Sequence, residues 1–295
     1  MTAPVRLGLI GLGHWGRICL RSVAQSLPQA HLTAVSSRSA EGAALSVPLF
    51  REWRDLLDSG LCDGVIITTP AHTHVRIAVD AVKKGLAVFV EKPLCTDVSE
   101  ARAFGDAVAS SPVPVVVDHI HLFNPAFRRL VELAGQLGPV LTIEAEAGKP
   151  GHPHLPVLWD WGAHDVAMCV KLMECAPDSV EAWRESQSDA TGEIVGVEMR
   201  FGAVPAKLRL GSLPQRTRRM TVICQQGCLV YDDIAPVNKL TLNGHPQPIL
   251  LSPPLQLGLR EFCQRIVDND VQRTDVDLAI LVVEVLAQAE KSMNR

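Results

Sequence analysis

Short apolar runs rich in β-branched residues alternate with amphipathic stretches over the first 120 residues. Val5 to Ile10 is such a run and ends in glycine, and a helical pattern follows it to about Leu27. His31 to Ser36 reads as a second strand, and Val65 to Thr68, Ala87 to Val90 and Val113 to Val117 as three more. Between them Val75, Ala78, Val79 and Val82 share one helical face, and Ala101, Phe104 and Val108 share another. Asp97, with Glu100 three residues on, has the spacing of a helix-start capping pair. Strand and helix in alternation, joined by short connections, predict a parallel sheet wrapped by helices.

The rhythm changes near residue 120. Pro125 opens a helix to about Leu133, and Gly138-Pro139 closes that stretch. A strand is expected at Val140 to Glu146, a loop dense in Gly, Pro and His from Gly148 to Pro156, and a helix from Asp160 to Leu172. From Val180 to Leu242 strand patterns follow one another without a helix: Val195 to Phe201, Ala206 to Leu210, Met220 to Cys224 and Cys228 to Tyr231. Consecutive strands of this kind make an antiparallel sheet. Leu257 to Val267 and Val276 to Ala289 read as closing helices. The expected division is a dinucleotide-binding domain over 1–121 and an α+β domain for substrate and self-association over 122–295.

Composition narrows the partners. The 295 residues are 47% hydrophobic and 20% charged, with a formal net charge of -4, as in ordinary globular chains. The basic cluster Arg216 to Arg219 is too short to suggest nucleic acid. The start lacks the basic and apolar regions of a signal peptide, and no uncharged apolar run has membrane-spanning length. Eight cysteines without a Cys-x-x-Cys pair read as reduced thiols of a cytoplasmic protein.

Candidate chemistry begins with Gly11-Leu12-Gly13-His14-Trp15-Gly16, which follows a strand and opens a helix. The first glycine makes the tight turn, the second admits a pyrophosphate to the backbone, and the third lets helix and strand pack closely. An acid about twenty residues further on would grip the 2′-hydroxyl of NAD. Here the segment is Val35-Ser36-Ser37-Arg38-Ser39, with no acid before Glu41. A serine hydroxyl and an arginine suit a 2′-phosphate, so NADP is the expected cofactor and NAD the alternative. Glu91-Lys92-Pro93 follows the run Ala87 to Val90. That puts Lys92 at the carboxyl end of a strand, where open parallel sheets bind ligands.

With Thr69-Pro70-Ala71-His72-Thr73-His74, Glu91-Lys92-Pro93 and Asp160-Trp161-Gly162-Ala163-His164 in this order, the chain resembles the glucose–fructose oxidoreductase and inositol dehydrogenase (Gfo/Idh/MocA) family. The resemblance runs over essentially the full length, including the closing helix with Ala287 and Ser292. It implies a Rossmann domain followed by an α+β domain on a mostly antiparallel sheet. The implied activity is hydride transfer between a nicotinamide and a secondary alcohol or ketone of a sugar, nucleotide sugar or cyclitol. By the same resemblance Lys92 lies beside the nicotinamide and the reacting carbon, and His164 with Asp160 supplies the acid/base end. Thr69, Pro70, His74 and Glu91 line the nicotinamide half of the cofactor site. Asp118 to Phe127, with Leu158-Trp159-Asp160 and His164-Asp165, looks most like the branch acting on nucleotide-linked amino sugars. His119, His121, Asn124, Trp159, Asp160 and His164 are accordingly the expected substrate contacts. The arginine that the family often carries near Leu122 is missing.

The residues support that chemistry by themselves. Alcohol oxidation needs a base for the hydroxyl proton and a cation or donor for the developing alkoxide. Asp160 and His164 stand four apart, on one helix face, so the carboxylate can orient or tune the imidazole. His119-x-His121 and His152-x-His154 invite a zinc reading, since His-x-His on a strand puts both rings on one face. Solvated-loop and cleft histidines are the simpler expectation, and no metal is assigned. Short-chain dehydrogenase chemistry is excluded because the only tyrosine, Tyr231, has Ala235 four residues beyond it. A flavoprotein would leave Lys92 and His164 without a role. The competing class is a sensor that holds NADP without turnover. The strands from Val180 to Leu242 carry apolar residues that one helical layer covers on one face only, which predicts a homodimer or homotetramer.

Overall fold

A computed structural model describes residues 3–38, 45–151, 155–188, 192–250 and 252–294. In chain order the elements are β1 (Val5–Ile10), α1 (His14–Ser26), β2 (Ala30–Ser36), β3 (Leu49–Phe50), α2 (Trp53–Asp58), β4 (Gly64–Ile67), α3 (His74–Lys83), β5 (Ala87–Glu91), α4 (Val98–Ala107) and β6 (Val115–Asp118). They continue with α5 (Pro125–Ala134), β7 (Val140–Gly148), α6 (Val157–Asp160), α7 (Gly162–Met173), β8 (Ser179–Ser188), β9 (Gly192–Phe201), β10 (Val204–Gly211), β11 (Thr217–Cys224), β12 (Gly227–Asp232), β13 (Leu240–Leu242), β14 (His245–Pro246), α8 (Pro254–Asp268) and α9 (Thr274–Met293).

The chain forms two compact units. The first comprises residues 1–118 and 255–280, the second 119–254 and 281–295. The expected division at 121 therefore shifts to 118, and the segment 255–280 belongs with the first unit instead of the second. Packing explains the return. The Phe262 ring lies 5.5 Å from that of Phe89 on β5, and Arg273 donates to the Gly105 carbonyl of α4 at 3.1 Å.

The first unit holds a six-stranded sheet in the order β3-β2-β1-β4-β5-β6, with every neighbouring pair parallel. All residues of β4, β5 and β6 are buried, as strands covered on both faces must be. The order reverses between β1 and β4, and the crevice at their carboxyl ends is where such sheets take ligands. Asp97 caps α4 as its spacing predicted, its carboxylate accepting from Glu100 N–H at 2.8 Å.

The second unit is built on an eight-stranded sheet, β14-β13-β12-β11-β7-β10-β9-β8. Its neighbours run antiparallel except β7 and β10, which are parallel. Ile143, Ala145, Ala147, Val195, Val197, Leu208 and Leu210 are buried on one face. The other face is not the apolar surface expected from the sequence. It carries Glu144, Glu146, Glu198, Lys207 and Arg209, with Arg209 tied to Glu146 at 2.7 Å and Glu185 at 2.8 Å. Period-two alternation put the apolar residues of these strands on the covered side, which the runs alone did not reveal.

Two further expectations change. The helix expected over Asp160 to Leu172 is two segments, α6 and α7, separated at Trp161. The His164 N–H bonds the Trp161 carbonyl at 3.1 Å, so Asp160 and His164 are not successive turns of one helix. His119 and His121 do not share a strand either, because β6 ends at Asp118 and His121 lies in the 3₁₀ turn Ile120–Phe123.

Asp165 of α7 and Arg218 of β11 form a buried ion pair at 3.0 Å, with 3% and 6% of the side chains exposed. Arg218→Met would leave the carboxylate buried without that cation. The expected cost is about 3–5 kcal/mol, read as a lowered urea midpoint at unchanged slope. A midpoint equal to the wild type would show that the pair does not hold α7 to the sheet.

Candidate active site

At the end of β1 the chain turns through Gly11, whose φ of 99° favours glycine. A Cβ on Gly16 would lie 2.1 Å from the Gly11 carbonyl oxygen, so helix α1 packs on the turn only because no side chain intervenes. A Cβ on Gly13 would meet nothing within 4 Å. That open space lies at the amino end of α1, where Gly13 is the cap residue without a side-chain cap and the first turn has no acid. The amide groups of His14, Trp15 and Gly16 begin this helix, and helix amino ends favour anions. The buried Trp15 Nε1 has no hydrogen-bond partner among the described residues. Free donors and open space fit a dinucleotide pyrophosphate. Thr68, not singled out from the sequence, braces the turn by donating from Oγ1 to the Gly11 carbonyl at 2.8 Å.

Ser37 follows β2 and is buried, whereas Arg38 is exposed. The Ser37 N–H donates to the Phe50 carbonyl at 3.0 Å, fixing the exit of β2. Ser39 and Glu41, which entered the cofactor reading, lie outside the described residues.

The loops after β4 and β5 are joined by one imidazole. His74 is buried, with Nε2 2.6 Å from the Thr69 carbonyl and Nδ1 3.0 Å from the Pro93 carbonyl. Thr69 Oγ1 and Thr73 Oγ1 are hydrogen-bonded at 2.6 Å, and Thr73 Oγ1 donates to the Pro70 carbonyl at 2.7 Å. Burial lowers the His74 pKa, while its two carbonyl partners oppose that shift. The segment holding Thr69 and Pro70 is thereby held to the one holding Lys92.

Beside Lys92 lies an unexpected pair of carboxyls. Glu91 ends β5, Asp118 ends β6, and the two are direct partners in the parallel register. Both are buried. Burial first, then the charge of Asp118, raises the Glu91 pKa well above the carboxylate range, against the pull of Lys92. Burial also raises Asp118, while the neighbouring Glu91 carboxyl and the charge of Lys92 lower it. Burial and the neighbouring charge thus favour the protonated form of the Glu91 carboxyl beside Asp118. Cys19 of α1 feels both carboxyls, its thiol pKa raised by burial and then by their charges. The sequence pattern gave Glu91 a role at the cofactor site and gave Asp118 none. The available signal was an acid ending the run Val115-Val116-Val117, as Glu91 ends Ala87 to Val90.

In the second unit His121 and His164 meet edge to face, with ring centroids 4.9 Å apart and planes at 89°. His121 Nδ1 is 3.1 Å from the Tyr231 hydroxyl. His119 is buried at the end of β6. Two expected substrate contacts have other work. Asn124 caps α5, accepting from the Ala126 N–H at 3.0 Å, and its amide donates to Tyr231 at 3.0 Å and Asp233 at 2.8 Å. Trp159 is 2% exposed and its Nε1 donates to Glu290 of α9 at 3.0 Å. Their polar atoms are spent on the fold, which argues against direct substrate contact. No cluster of three metal-ligating side chains occurs among the described residues. His152 and His154 lie outside them.

Residues 5–119 match the model of an oxidoreductase family with an NAD-binding Rossmann fold, Gfo/Idh/MocA. A provisionally assigned oxidoreductase from Magnetospirillum magnetotacticum MS-1 is 36% identical. Its structure superposes with a TM-score of 0.90 over 97% of this chain and 100% of that one. The chain belongs to the Gfo/Idh/MocA family. The scyllo-inositol 2-dehydrogenase (NAD(+)) of Bacillus subtilis (strain 168) is 30% identical over 164 residues, 52% of this chain and 47% of that protein. The UDP-N-acetylglucosamine 3-dehydrogenase of Acidithiobacillus ferrooxidans is 30% identical over 184 residues, 60% of this chain and 57% of that protein. The matched stretches span about half the length of these relatives. As a Gfo/Idh/MocA member the chain has a nicotinamide dinucleotide fold, and the glycine turn described above fits that cofactor.

The carboxyl pair has a testable pH signature. Both groups have folded pKa values above their unfolded values, so the folded state binds the extra protons. Their contribution to stability falls as pH rises from the ordinary carboxylate range toward the raised values. Asp118→Asn removes one of the two charges. Relative to the wild type, its melting temperature should rise steadily between about pH 5 and about pH 8. His74 contributes a slope of opposite sign that is the same in both proteins. Parallel melting curves across that range would mean that the two carboxyls do not share a proton.

Proposed function

We propose that this chain is an NAD(P)-dependent oxidoreductase acting on a secondary alcohol or ketone of a sugar, nucleotide sugar or cyclitol. The observation that carries this reading is the placement of Lys92. It follows the buried Glu91–Asp118 pair at the carboxyl end of a central parallel strand, in a segment that His74 anchors through Pro93. A bound nicotinamide supplies or accepts the hydride. Lys92 provides the positive charge for the carbinol oxygen as it becomes an alkoxide. His164, tuned by Asp160, takes or returns the hydroxyl proton. Gly11, Gly13, His14, Trp15 and Gly16 hold the pyrophosphate, and Thr69, Pro70, His74 and Glu91 shape the nicotinamide end. His119 and His121 are the substrate contacts we retain from the second unit. The match to a UDP-N-acetylglucosamine dehydrogenase favours a nucleotide sugar, and the inositol dehydrogenase keeps cyclitols in the test panel. A cytoplasmic setting accords with eight free cysteines. Among the described residues no helix is long and apolar enough to cross a membrane. Self-association as a homodimer or homotetramer would use the charged sheet face and the exposed Trp183, and light scattering reads it directly.

Ser37 and Arg38 make NADP the preferred cofactor. Arg38→Ala should weaken NADP binding and leave NAD binding unchanged, as measured by fluorescence titration. Tighter binding of NAD than of NADP to the wild type would overturn this preference.

Lys92→Met keeps most of the stem and removes the charge, so cofactor affinity should persist. The chemical step should slow by at least ~10²-fold, the usual loss for one positioned donor or acid/base group. His164→Ala should also lose turnover and remove a limb of the pH–rate profile. Single-turnover rates near the wild type in both variants would make the two residues structural and favour the sensor.

A further inference from the structure

Arg51 is the residue that follows β3. β3 is two residues long and lies at the edge of the first unit's sheet, parallel to β2, with Val35 beside Leu49 and Ser36 beside Phe50. Backbone bonds fix that short strand. The Val35 N–H donates to the Pro48 carbonyl and the Ser37 N–H to the Phe50 carbonyl, both at 3.0 Å. Continuing the register by one step sets Arg51 level with Ser37, one residue before Arg38. Neighbouring strands are about 4.8 Å apart, a gap that an arginine side chain spans. Ser37 is buried, while Arg38 and Arg51 are exposed. The exit of β2 thus has one arginine on its own strand and a second brought in from β3.

The nearby arginines of α2 and α3 are committed elsewhere. Arg54 lies over the Trp53 ring at 4.1 Å and pairs with Asp80 at 3.6 Å, and Arg76 approaches the same ring at 5.8 Å. Glu52, the acid that follows Arg51, takes the cap position of α2. A phosphate monoester carries a charge of about −1.5 to −2 near neutral pH and offers three strong acceptor oxygens. One guanidinium grips two of those oxygens in a fork and cancels one charge. The remaining oxygen and charge call for another donor and another cation. A guanidinium has five N–H donors, so Arg51 can take a phosphate oxygen alongside other partners. In a doubly wound fold the adenosine ribose lies at the end of β2, and an arginine there accommodates a 2′-phosphate. NAD, with its neutral 2′-hydroxyl, gains nothing from a second cation.

We propose that Arg51 is a specificity-determining residue for the cofactor, reading the 2′-phosphate from β3 as Ser37 and Arg38 read it from β2. This deepens the NADP preference stated above and rests on it. It also gives β3 a purpose. With Leu49 exposed and Phe50 half-buried, the strand adds little to the core, and its register with β2 is what carries Arg51 to the ribose end.

The test is calorimetric titration of the full-length protein with adenosine 2′,5′-bisphosphate and with adenosine 5′-monophosphate, which differ by the 2′-phosphate alone and need no turnover. The wild type should bind the bisphosphate more tightly. Arg51→Ala and Arg51→Gln should weaken bisphosphate binding by about 10- to 10²-fold, the scale of a lost charge-assisted hydrogen bond, and leave monophosphate binding unchanged. Arg51→Lys, which keeps the charge without the fork, should lose less than either. Monophosphate binding reports an intact adenosine site in each variant, and Arg51→Gln retains the stem should Arg51→Ala fail to fold. Bisphosphate affinity equal to the wild type in a variant that still binds the monophosphate would overturn the inference. An equal loss for both ligands in both variants would also overturn it, because Arg51 would then support the adenosine site as a whole. Either result, with the wild type still preferring the bisphosphate, strikes the inference and leaves the NADP preference standing. A wild type that binds the two ligands equally would overturn that preference and the inference with it.

Discussion

A lysine can act as a fixed charge only if the backbone beneath it is held, and here the hold is one buried imidazole. His74 sits between the carbonyls of Thr69 and Pro93 and ties the segment after β4 to the segment after β5. Glu91 and Asp118 complete the support, since parallel register sets them side by side at adjacent strand ends. Two carboxyls in a buried place cannot both ionise at low cost, and sharing a proton leaves about one negative charge near the Lys92 cation. That balance keeps the local charge small. Without it, the segment would carry a second buried negative charge beside the first.

The first unit was largely legible from its sequence. Strands covered on both faces appear as unbroken apolar runs, and the glycine pattern has few physical interpretations when it joins strand to helix. The edge strand β3, with two residues, and the short helix α2 left no comparable pattern. The return of 255–280 to the first unit was not legible either. Its apolar stripe says that α8 is buried on one side but not against which sheet, and only the Phe262–Phe89 contact decides that.

The second unit separates pattern from chemistry. Its strands were read correctly as elements, yet the open face was expected to be apolar because period-two alternation was not followed across each run. β8, with Glu181, Arg184 and Glu185 among its residues, is too polar to be found as a strand by hydrophobicity. Asn124 and Trp159 were expected as substrate contacts from the resemblance to the nucleotide-sugar branch. Their hydrogen bonds go instead to Ala126, Tyr231, Asp233 and Glu290. Asp118 and Tyr231 were passed over for the opposite reason. Asp118 entered only as the start of the Asp118-to-Phe127 stretch and Tyr231 only as a tyrosine without a lysine four residues on, and each acquires meaning only through a neighbour more than 20 residues away in sequence, Glu91 for the one and His121 for the other.

The central claim is hydride transfer supported by Lys92, and isotope tracing tests it most directly. The wild-type protein is incubated with reduced cofactor deuterated at the nicotinamide C4 and a panel of keto derivatives of sugars, nucleotide sugars and inositols. The products are then analysed by mass spectrometry and NMR. The account predicts one deuterium on the new carbinol carbon of at least one product, delivered from a single face of the nicotinamide. Saturable cofactor binding with no deuterium transferred to any member of the panel would contradict it.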